Sequence, residues 1–184
     1  MEIITRRLIL RPWRESDAEE LYRLAQDPDV GPAAGWPVHT SAENSREIIK
    51  GVLSEPETYA VVLKQTGEPV GGVGIKLPGH GSAPMTDTEA ELGYWIGKRY
   101  WGQGLIPEAV RALLRRCFLE LGCTAVWCGY YDGNEKSRRV QEKCGFVYHH
   151  SESGKVCQLL GEVRTEHFTR LPREDWHPEP CAPA

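Results

Sequence analysis

An almost continuous apolar run at residues 124–131 is the feature that most limits how this chain can fold. Such a run is typical of a central strand that is covered on both of its faces. Before it, in residues 107–121, apolar side chains recur at strict helical spacing, and Gly122 supplies the glycine that commonly follows a helix end. A long helix followed by a buried strand indicates an α/β domain.

The other segments predict a mixed sheet in which strands and helices are interspersed. Apolar or alternating runs predict strands at residues 7–13, 59–64, 69–77, 89–96, 146–150 and 158–169. Two capping boxes, Ser16 with Glu19 and Thr40 with Glu43, predict the starts of two helices near the N-terminus. A further short helix is expected at residues 134–143, and residues 28–39 and 78–88 are expected to be loops.

The length of 184 residues suits one domain with a sizeable core, and we expect that domain to span residues 1–176. The proline-rich tail, residues 177–184, is expected to be disordered. No apolar run approaches the roughly 20 residues of a membrane span, and the N-terminus lacks the apolar middle region of a secretory signal. We therefore expect a cytoplasmic protein without a membrane partner.

The net charge of −4 and the six cysteines argue against two further classes of protein. Nucleic-acid binding needs a clustered positive face, so no nucleic-acid partner is expected. The cysteines include no Cys-x-x-Cys pair, and the neighbours His149 and His150 would face opposite sides of a strand. We therefore expect free thiols and no metal site.

A glycine-rich turn, Arg99-Tyr-Trp-Gly102-Gln-Gly104, lies between a predicted strand and the long helix. The two glycines permit backbone geometry closed to other residues and let a ligand approach the main chain. No capping side chain precedes the helix, so its first N–H groups and its dipole make an anion site, for which phosphate is the natural ligand. The turn matches neither a P-loop nor a dinucleotide fingerprint.

Several motifs in a fixed order carry a resemblance to a known family. They are Arg7-Leu-Ile-Leu-Arg-Pro, Glu91-Leu-Gly-Tyr-Trp-Ile, Arg99-x-x-Gly102-x-Gly104, Glu108-Ala, Asn134-x-x-Ser137, Lys143-Cys-Gly145-Phe146 and Leu171-Pro-Arg-Glu-Asp-Trp176. With these motifs the chain resembles the GNAT superfamily of acetyl-CoA-dependent N-acetyltransferases, and in particular the branch of bacterial ribosomal-protein N-terminal acetyltransferases. The resemblance implies a mixed, mostly antiparallel twisted sheet flanked by helices.

The same resemblance implies acetyl-CoA as co-substrate and assigns residues to it. The main chain of the turn would bind the pyrophosphate, the strand before it would bind the pantetheine arm, and Asn134 would contact the cofactor from the far side. The residues so implied are Tyr94, Trp95, Ile96, Arg99, Tyr100, Trp101, Gly102, Gln103, Gly104, Leu105, Asn134 and Ser137. A basic cluster, Lys136, Arg138 and Arg139, either meets the ribose phosphate or is a solvated helix face.

Amide formation from a thioester needs a neutral amine, so the reaction calls for a general base that takes a proton from the ammonium form. Glu91, next to the cofactor strand, is the first candidate, and Glu89 on the same strand face is the second. His39 and His80, in the two long loops, are further candidates because histidine titrates near neutral pH. The alternative for either glutamate is an ordinary ion pair with a nearby Lys or Arg.

The departing sulfur also needs stabilisation, and here the sequence departs from the common family pattern. Many GNAT enzymes carry a tyrosine acid seven residues after the position of Asn134, where this chain has Gln141. The ribosomal-protein branch offers Ser137 instead, as a donor to sulfur or as a helix-starting residue. Trp36 is a candidate wall of the acceptor pocket, together with Glu89 and Glu91.

These observations predict an N-acetyltransferase that acts by direct transfer within a ternary complex. The acceptor is a primary amine, for which a protein N-terminal α-amine is the first hypothesis. A small drug or metabolite amine, and a non-catalytic coenzyme A-binding module, are the alternatives. Both a monomer and a homodimer fit the sequence.

Overall fold

The computed structural model describes residues 1–178, and residues 179–184, most of the tail predicted to be disordered, lie outside the described residues. Within that range eight strands form one sheet in the order β1-β2-β3-β4-β5-β6-β8-β7. The strands are β1 Ile3–Ile4, β2 Leu8–Arg11, β3 Thr58–Leu63, β4 Pro69–Lys76, β5 Glu89–Ile96, β6 Ala125–Tyr131, β7 Val147–Cys157 and β8 Glu162–Pro172. All neighbouring strands are antiparallel except β5 and β6, which confirms the predicted mixed sheet.

Helices lie between these strands, close to the places where the sequence predicts them. The helices are α1 Ala18–Ala25, α2 Gly31–Ala34, α3 Ala42–Lys50, α4 Leu105–Arg115 and α5 Glu135–Lys143. The π-helical segment Arg116–Glu120 prolongs α4 up to Gly122, whose φ of 71° ends the helix as predicted. The segment 28–39, predicted to be a loop, contains the short helix α2.

Both predicted capping boxes are wrong, the first by two positions and the second by one. The Asp17 carboxylate, rather than Ser16, bonds the chain before α1, accepting from the Arg14 N–H at 2.9 Å. Ser41, rather than Thr40, caps α3 by accepting from the Asn44 N–H at 3.0 Å. In both places two short polar residues are adjacent, so the sequence pattern alone does not fix which of them makes the local bond.

The hairpin of β7 and β8 differs most from the prediction. β7 continues to Cys157 instead of ending near residue 150, and β8 begins at Glu162. Its pairing with β8 shifts register twice, between Tyr148 and His150 and between Glu152 and Lys155. These irregularities interrupt the alternation of side chains, so a polar edge strand of this kind leaves little pattern in the sequence.

Two apolar clusters hold the helices against opposite faces of the sheet. One packs α4 against the sheet centre and contains Leu92, Leu113, Phe118, Val126 and Leu171. The other packs α1 and α3 against the first strands and contains Trp13, Leu21, Ile49, Ala60 and Val62. Beyond α1 and α3, the loop of residues 77–88 covers that second face through a small cluster of Ala83, Trp127 and Phe168.

A buried ion pair joins β2 to the start of α1. Arg11 donates to both Asp17 oxygens, at 2.7 and 2.9 Å, and each side chain is 8% exposed. Replacing Asp17 with Asn keeps the shape but leaves a buried guanidinium without its counter-charge. We expect Asp17→Asn to lower the free energy of unfolding by about 3–5 kcal/mol, the typical cost of breaking a buried pair.

Urea unfolding of Asp17→Asn beside Glu43→Gln measures this effect. Glu43 pairs with Arg46 at the surface, so its variant should change stability by less than about 1 kcal/mol. Equal midpoints for the two variants would show that the buried pair does not hold α1 in place.

Candidate active site

The parallel strands β5 and β6 separate part-way along their length. Their pairing runs from Glu89 with Ala125 to Leu92 with Cys128, yet β5 continues to Ile96. Beyond Leu92 the β6-facing edge of β5 therefore has no strand partner. Unpaired main-chain N–H and C=O groups at such an edge can bond an extended ligand as a strand would.

A cleft of about 290 Å³ opens at this edge. The end of β5, the glycine-rich turn, the start of α4, α5 and α2 surround it. Most residues predicted to bind the cofactor line this cleft, namely Tyr94, Trp95, Ile96, Tyr100, Trp101, Gly102, Gly104, Leu105, Asn134 and Ser137. The structure thus brings together in one cavity residues that the sequence spreads over more than forty positions.

Two of the predicted cofactor residues do not line the cleft. The Arg99 guanidinium forms an ion pair with Glu20. The Gln103 side chain donates back to the Arg99 carbonyl at 3.1 Å. For both residues, cofactor binding through the side chain stays a prediction, and the side chains as placed stabilise the turn.

The glycine-rich turn and the first turn of α4 form an anion cradle. Gly102 and Gly104 have φ values of 76° and 71°, in the left-handed region where glycine is favoured. Gly104 is the N-cap residue and offers no capping side chain to the N–H groups that follow it. Lys136, Arg139 and Lys143 also line the cleft, so the donor set there suits a phosphate. Arg138, from the predicted basic cluster, instead pairs with Glu135 at 2.9 Å.

Arg7 stabilises this cradle from behind, a role that the sequence did not reveal. Its guanidinium donates to the carbonyls of Gln103 at 2.9 Å and Gly104 at 3.0 Å, and to Glu108 Oε2 at 2.6 Å. Burial alone would raise the pKa of Glu108, but bonds from Thr5 and Arg7 outweigh it and lower that pKa. The positive charge of Arg7 thereby compensates the negative charge of Glu108, which lies in the first turn of α4 next to the anion cradle.

The roof of the cleft is α2, and main-chain carbonyls attach it to the rest of the domain. Asn134 donates to the Ala33 carbonyl at 3.2 Å, and Arg164 donates to the Pro32 carbonyl at 2.6 Å. The Cys157 thiol donates to the Gly35 carbonyl at 3.2 Å. Asn134, predicted to contact cofactor, thus also positions the roof.

Ser137 and its neighbours form a polar cluster at the point where the strands separate. Tyr94 Oη lies 2.9 Å from Ser137 Oγ, and Gln141 Nε2 donates to that Oγ at 3.3 Å and to the Gly129 carbonyl at 3.0 Å. Gln141 is fully buried, and its Oε1 accepts from Thr169 at 2.8 Å. Burial raises the pKa of Tyr94 well above its usual range, so its phenol stays protonated.

The predicted base candidates lie on the opposite sheet face, outside the cleft lining. Glu91 Oε2 accepts from the main-chain N–H groups of Ser82 at 2.6 Å and Ala83 at 2.7 Å, and Oε1 lies 3.4 Å from Lys76 Nζ. Glu91 therefore holds the loop of residues 77–88. Its role as base stays a prediction.

Glu89 and Trp36 have other surroundings on that face. Burial would raise the pKa of Glu89, but bonds from Thr86, Arg170 and Trp127 outweigh it and lower that pKa. Such a carboxylate is a weak base. Trp36 packs edge-on against Trp95, with ring centroids 5.5 Å apart, in the aromatic cluster beside the cleft.

The histidine candidates are dispersed. His39 is buried with its Nδ1 2.8 Å from Ser45 Oγ, and burial lowers its pKa, whereas His80 is exposed in the loop of residues 77–88. Among residues 1–178 no group of three or more His, Cys, Asp or Glu side chains could hold a metal ion. No helix in that range is long and apolar enough to cross a membrane.

Comparison with known proteins decides the family. Residues 7–147, more than half of the chain, match the Acetyltransferase (GNAT) domain family. The chain belongs to the GNAT acetyltransferase family. It is therefore an acetyltransferase, and the cleft between β5 and β6 is its candidate active site.

Individual relatives agree with this membership. The chain is 45% identical over 98 residues to a Bacillus subtilis protein named "Putative ribosomal N-acetyltransferase YdaF", a match that covers 52% of this chain and 51% of the relative. A solved GNAT-family acetyltransferase from Bacillus anthracis superposes with a TM-score of 0.81 at 21% identity, over 95% and 99% of the two chains. RimJ of Mycobacterium smegmatis, solved with CoA-disulfide, gives 0.75 at 21% identity, over 95% and 88%.

The Arg7 contacts lead to a prediction about this acetyltransferase. Without the guanidinium, the Gln103 and Gly104 carbonyls lose their donors and the Glu108 charge faces the anion cradle. We expect Arg7→Met to weaken coenzyme A binding about tenfold or more, since hydrogen bonds to charged groups are worth about 1.5–3 kcal/mol and about 1.4 kcal/mol is tenfold.

Titration calorimetry with coenzyme A measures this change, and Arg6→Met is the matched control. Arg6 is the exposed neighbour of Arg7, so its variant should bind with wild-type affinity. Identical affinities for the two variants would contradict a role of Arg7 in holding the cradle.

Proposed function

We propose that the protein transfers the acetyl group of acetyl-CoA directly to a protein N-terminal α-amine in a ternary complex. The observation that carries this proposal is the juxtaposition of the anion cradle with the separated strands β5 and β6. A phosphate-bearing thioester can be bound at one end of the cleft while its reactive end reaches Ser137. Bound acetyl-CoA supplies the activated acyl group. The protein binds and orients the two substrates and accepts and donates the protons.

Different residues of the cleft bind different parts of coenzyme A. The N–H groups of the glycine-rich turn and of Leu105 and Ile106 face the pyrophosphate, assisted by the charge of Lys136 or Arg139. The free edge of β5 near Tyr94 and Ile96 bonds the pantetheine amides as an added strand would. The CoA-disulfide complex of RimJ, a protein of the same fold, supports this choice of ligand.

Ser137 is arranged to donate a hydrogen bond to the departing sulfur. The Tyr94 phenol lies within hydrogen-bond distance of both the Ser137 carbonyl, at 3.0 Å, and Oγ, at 2.9 Å. When the phenol and the Gln141 amide both donate to Oγ, the serine's own proton is left to point into the cleft. A bond to sulfur strengthens as negative charge develops there, so it stabilises the transition state more than the bound substrate. Gln141 thus supports the serine at the position where relatives carry a tyrosine.

Three buried carboxylates on the opposite sheet face suit an ammonium acceptor. Glu89, Glu91 and Glu166 are each less than 9% exposed on the face that holds the acceptor side of the opening. The acceptor amine must lose a proton before it attacks, and a carboxylate on this face takes it. The name of the Bacillus subtilis relative supports a ribosomal protein as the acceptor. The cytoplasmic location stays a prediction.

The role of Ser137 leads to the first prediction for catalysis. If its bond to sulfur is worth about 1.5–3 kcal/mol, Ser137→Ala lowers kcat roughly 10- to 100-fold with little change in the KM for acetyl-CoA. Ser137→Thr keeps the hydroxyl and should retain most of the activity. Steady-state kinetics with melting curves separates the outcomes, because a normal kcat with a lower Tm would make Ser137 only a helix-starting residue.

The acceptor is tested with a panel of amines and acetyl-CoA, monitored by release of free thiol. We expect peptides that begin with serine or alanine to give a higher kcat/KM than lysine side chains or small amines. The same peptides with a blocked N-terminus should release no thiol, because they lack the attacking amine. Faster turnover of small amines than of any peptide would overturn the proposed acceptor and favour a drug or metabolite amine.

A further inference from the structure

A carboxylate that the sequence motifs do not include lies directly at the separation of β5 and β6. Glu166, on β8, is 8% exposed and sits over Gly129, the first residue of β6 after its last pair with β5. A Cβ atom at Gly129 would lie only 2.6 Å from Glu166 Oε1. The missing side chain at Gly129 therefore lets this carboxylate approach the main chain at the opening.

Glu166 and Ser137 approach the same strand from opposite faces of the sheet. The Gly129 carbonyl accepts from Gln141, which also bonds Ser137, on the helix side. On the other side the Glu166 carboxylate touches Gly129. The group that stabilises the leaving sulfur and the group that deprotonates the attacking amine act on different sides of the acyl carbon. The placement of Ser137 and Glu166 on opposite sheet faces is compatible with these two roles.

Glu91 is connected to Glu166 through Ser82. The Ser82 hydroxyl lies 3.1 Å from Glu166 Oε1 and 3.4 Å from Glu91 Oε1. Glu91 Oε2 is already held by two main-chain N–H groups, whereas Glu166 bonds the side chains of Ser82 and Lys155. Glu91 is thus bound to the loop, and Glu166 can exchange one partner for a substrate.

That exchangeable partner is itself an ammonium group. Lys155 Nζ lies 3.0 Å from Glu166 Oε2, 3.2 Å from the Ser82 carbonyl and 4.5 Å from the centroid of the Phe168 ring. A carboxylate, a carbonyl and an aromatic face together bind primary ammonium groups. Lys155 lies at an irregularity of the edge strand β7, so an acceptor ammonium can take its place.

We propose that Glu166 is the general base of the acetyl transfer and that Glu91 is a positioning residue acting through Ser82. The inference rests on the proposed function. The acceptor ammonium gives one proton to the Glu166 carboxylate, and the freed nitrogen pair forms the N–C bond as the C–S bond breaks with its pair remaining on sulfur. A second nitrogen proton ends on sulfur, and Glu166 releases its proton to water.

Variants of the two glutamates test the assignment, with thiol release measured between pH 6 and 10. Loss of a general base typically costs ~10²–10⁴-fold. We expect Glu166→Gln to show such a loss of kcat at neutral pH, to recover towards high pH and to keep wild-type affinity for coenzyme A. Glu91→Gln should lose no more than about tenfold and show no recovery with pH, whereas the opposite pattern would overturn the assignment.

A second pair of variants tests the base without altering either glutamate. Glu166 pairs with Lys155 and lies opposite Glu152 in the register of β7, interacts with Tyr131 of β6, and is linked through Ser82 to Glu91. One step further away, Lys76 pairs with Glu91 and Arg164 lies over the Tyr131 ring. Lys155→Met removes the positive charge that lies beside the proposed base. The acid limb of the kcat/KM profile should therefore move to higher pH.

Lys76→Met is the matched control, because it removes the charge beside Glu91 instead. A shift with Lys76→Met and none with Lys155→Met would return the role of base to Glu91. Failure of the wild-type protein to release thiol with any amine would overturn the proposed function itself. Wild-type turnover with an unaltered Glu166→Gln profile would overturn this assignment alone.

Discussion

The separation of two parallel strands is the constraint around which the rest of the molecule is arranged. After Leu92 and Cys128 the main chains of β5 and β6 no longer pair with each other. Main-chain polar groups in a protein interior nevertheless need hydrogen-bond partners. Gln141 satisfies the β6 side by donating to the Gly129 carbonyl. The main-chain N–H and C=O groups on the β5 side remain available to a ligand. The hydrogen bonds that the incomplete sheet lacks can therefore be made to a bound molecule.

The charges of the site follow from this geometry. On the helix side, uncapped N–H groups and basic side chains favour a polyanion, whereas the other side carries the buried carboxylates of Glu89, Glu91 and Glu166. Each carboxylate has its own basic partner, namely Arg170, Lys76 and Lys155 in turn. One sheet therefore has basic side chains beside the cleft on one face and paired carboxylates on the other.

Local signals in the sequence predicted part of this arrangement. The bounds of β5 and the glycine-rich turn were predictable, because alternation and glycine geometry act over a few residues. The predicted cofactor residues that line the cleft came instead from the family resemblance, whose motifs are spread along the chain. The Arg7–Glu108 contact and the place of Glu166 over Gly129 were not, because each joins residues far apart in the chain. Neither of these two contacts leaves a periodic pattern in the sequence. The register shifts of β7 also make its pairing with β8, and so the buried position of Glu166, unpredictable from the sequence.

The attachment of the α2 roof has a consequence for how such a domain diversifies. Asn134, Arg164 and Cys157 hold the roof only through main-chain carbonyls of Pro32, Ala33 and Gly35. A carbonyl is present whatever the side chain, so Pro32 and Ala33 can be exchanged during evolution without loss of these bonds. The bonds that hold the roof therefore do not restrict the side chain at Pro32, whereas Ala33 also lines the cleft and is restricted by its shape.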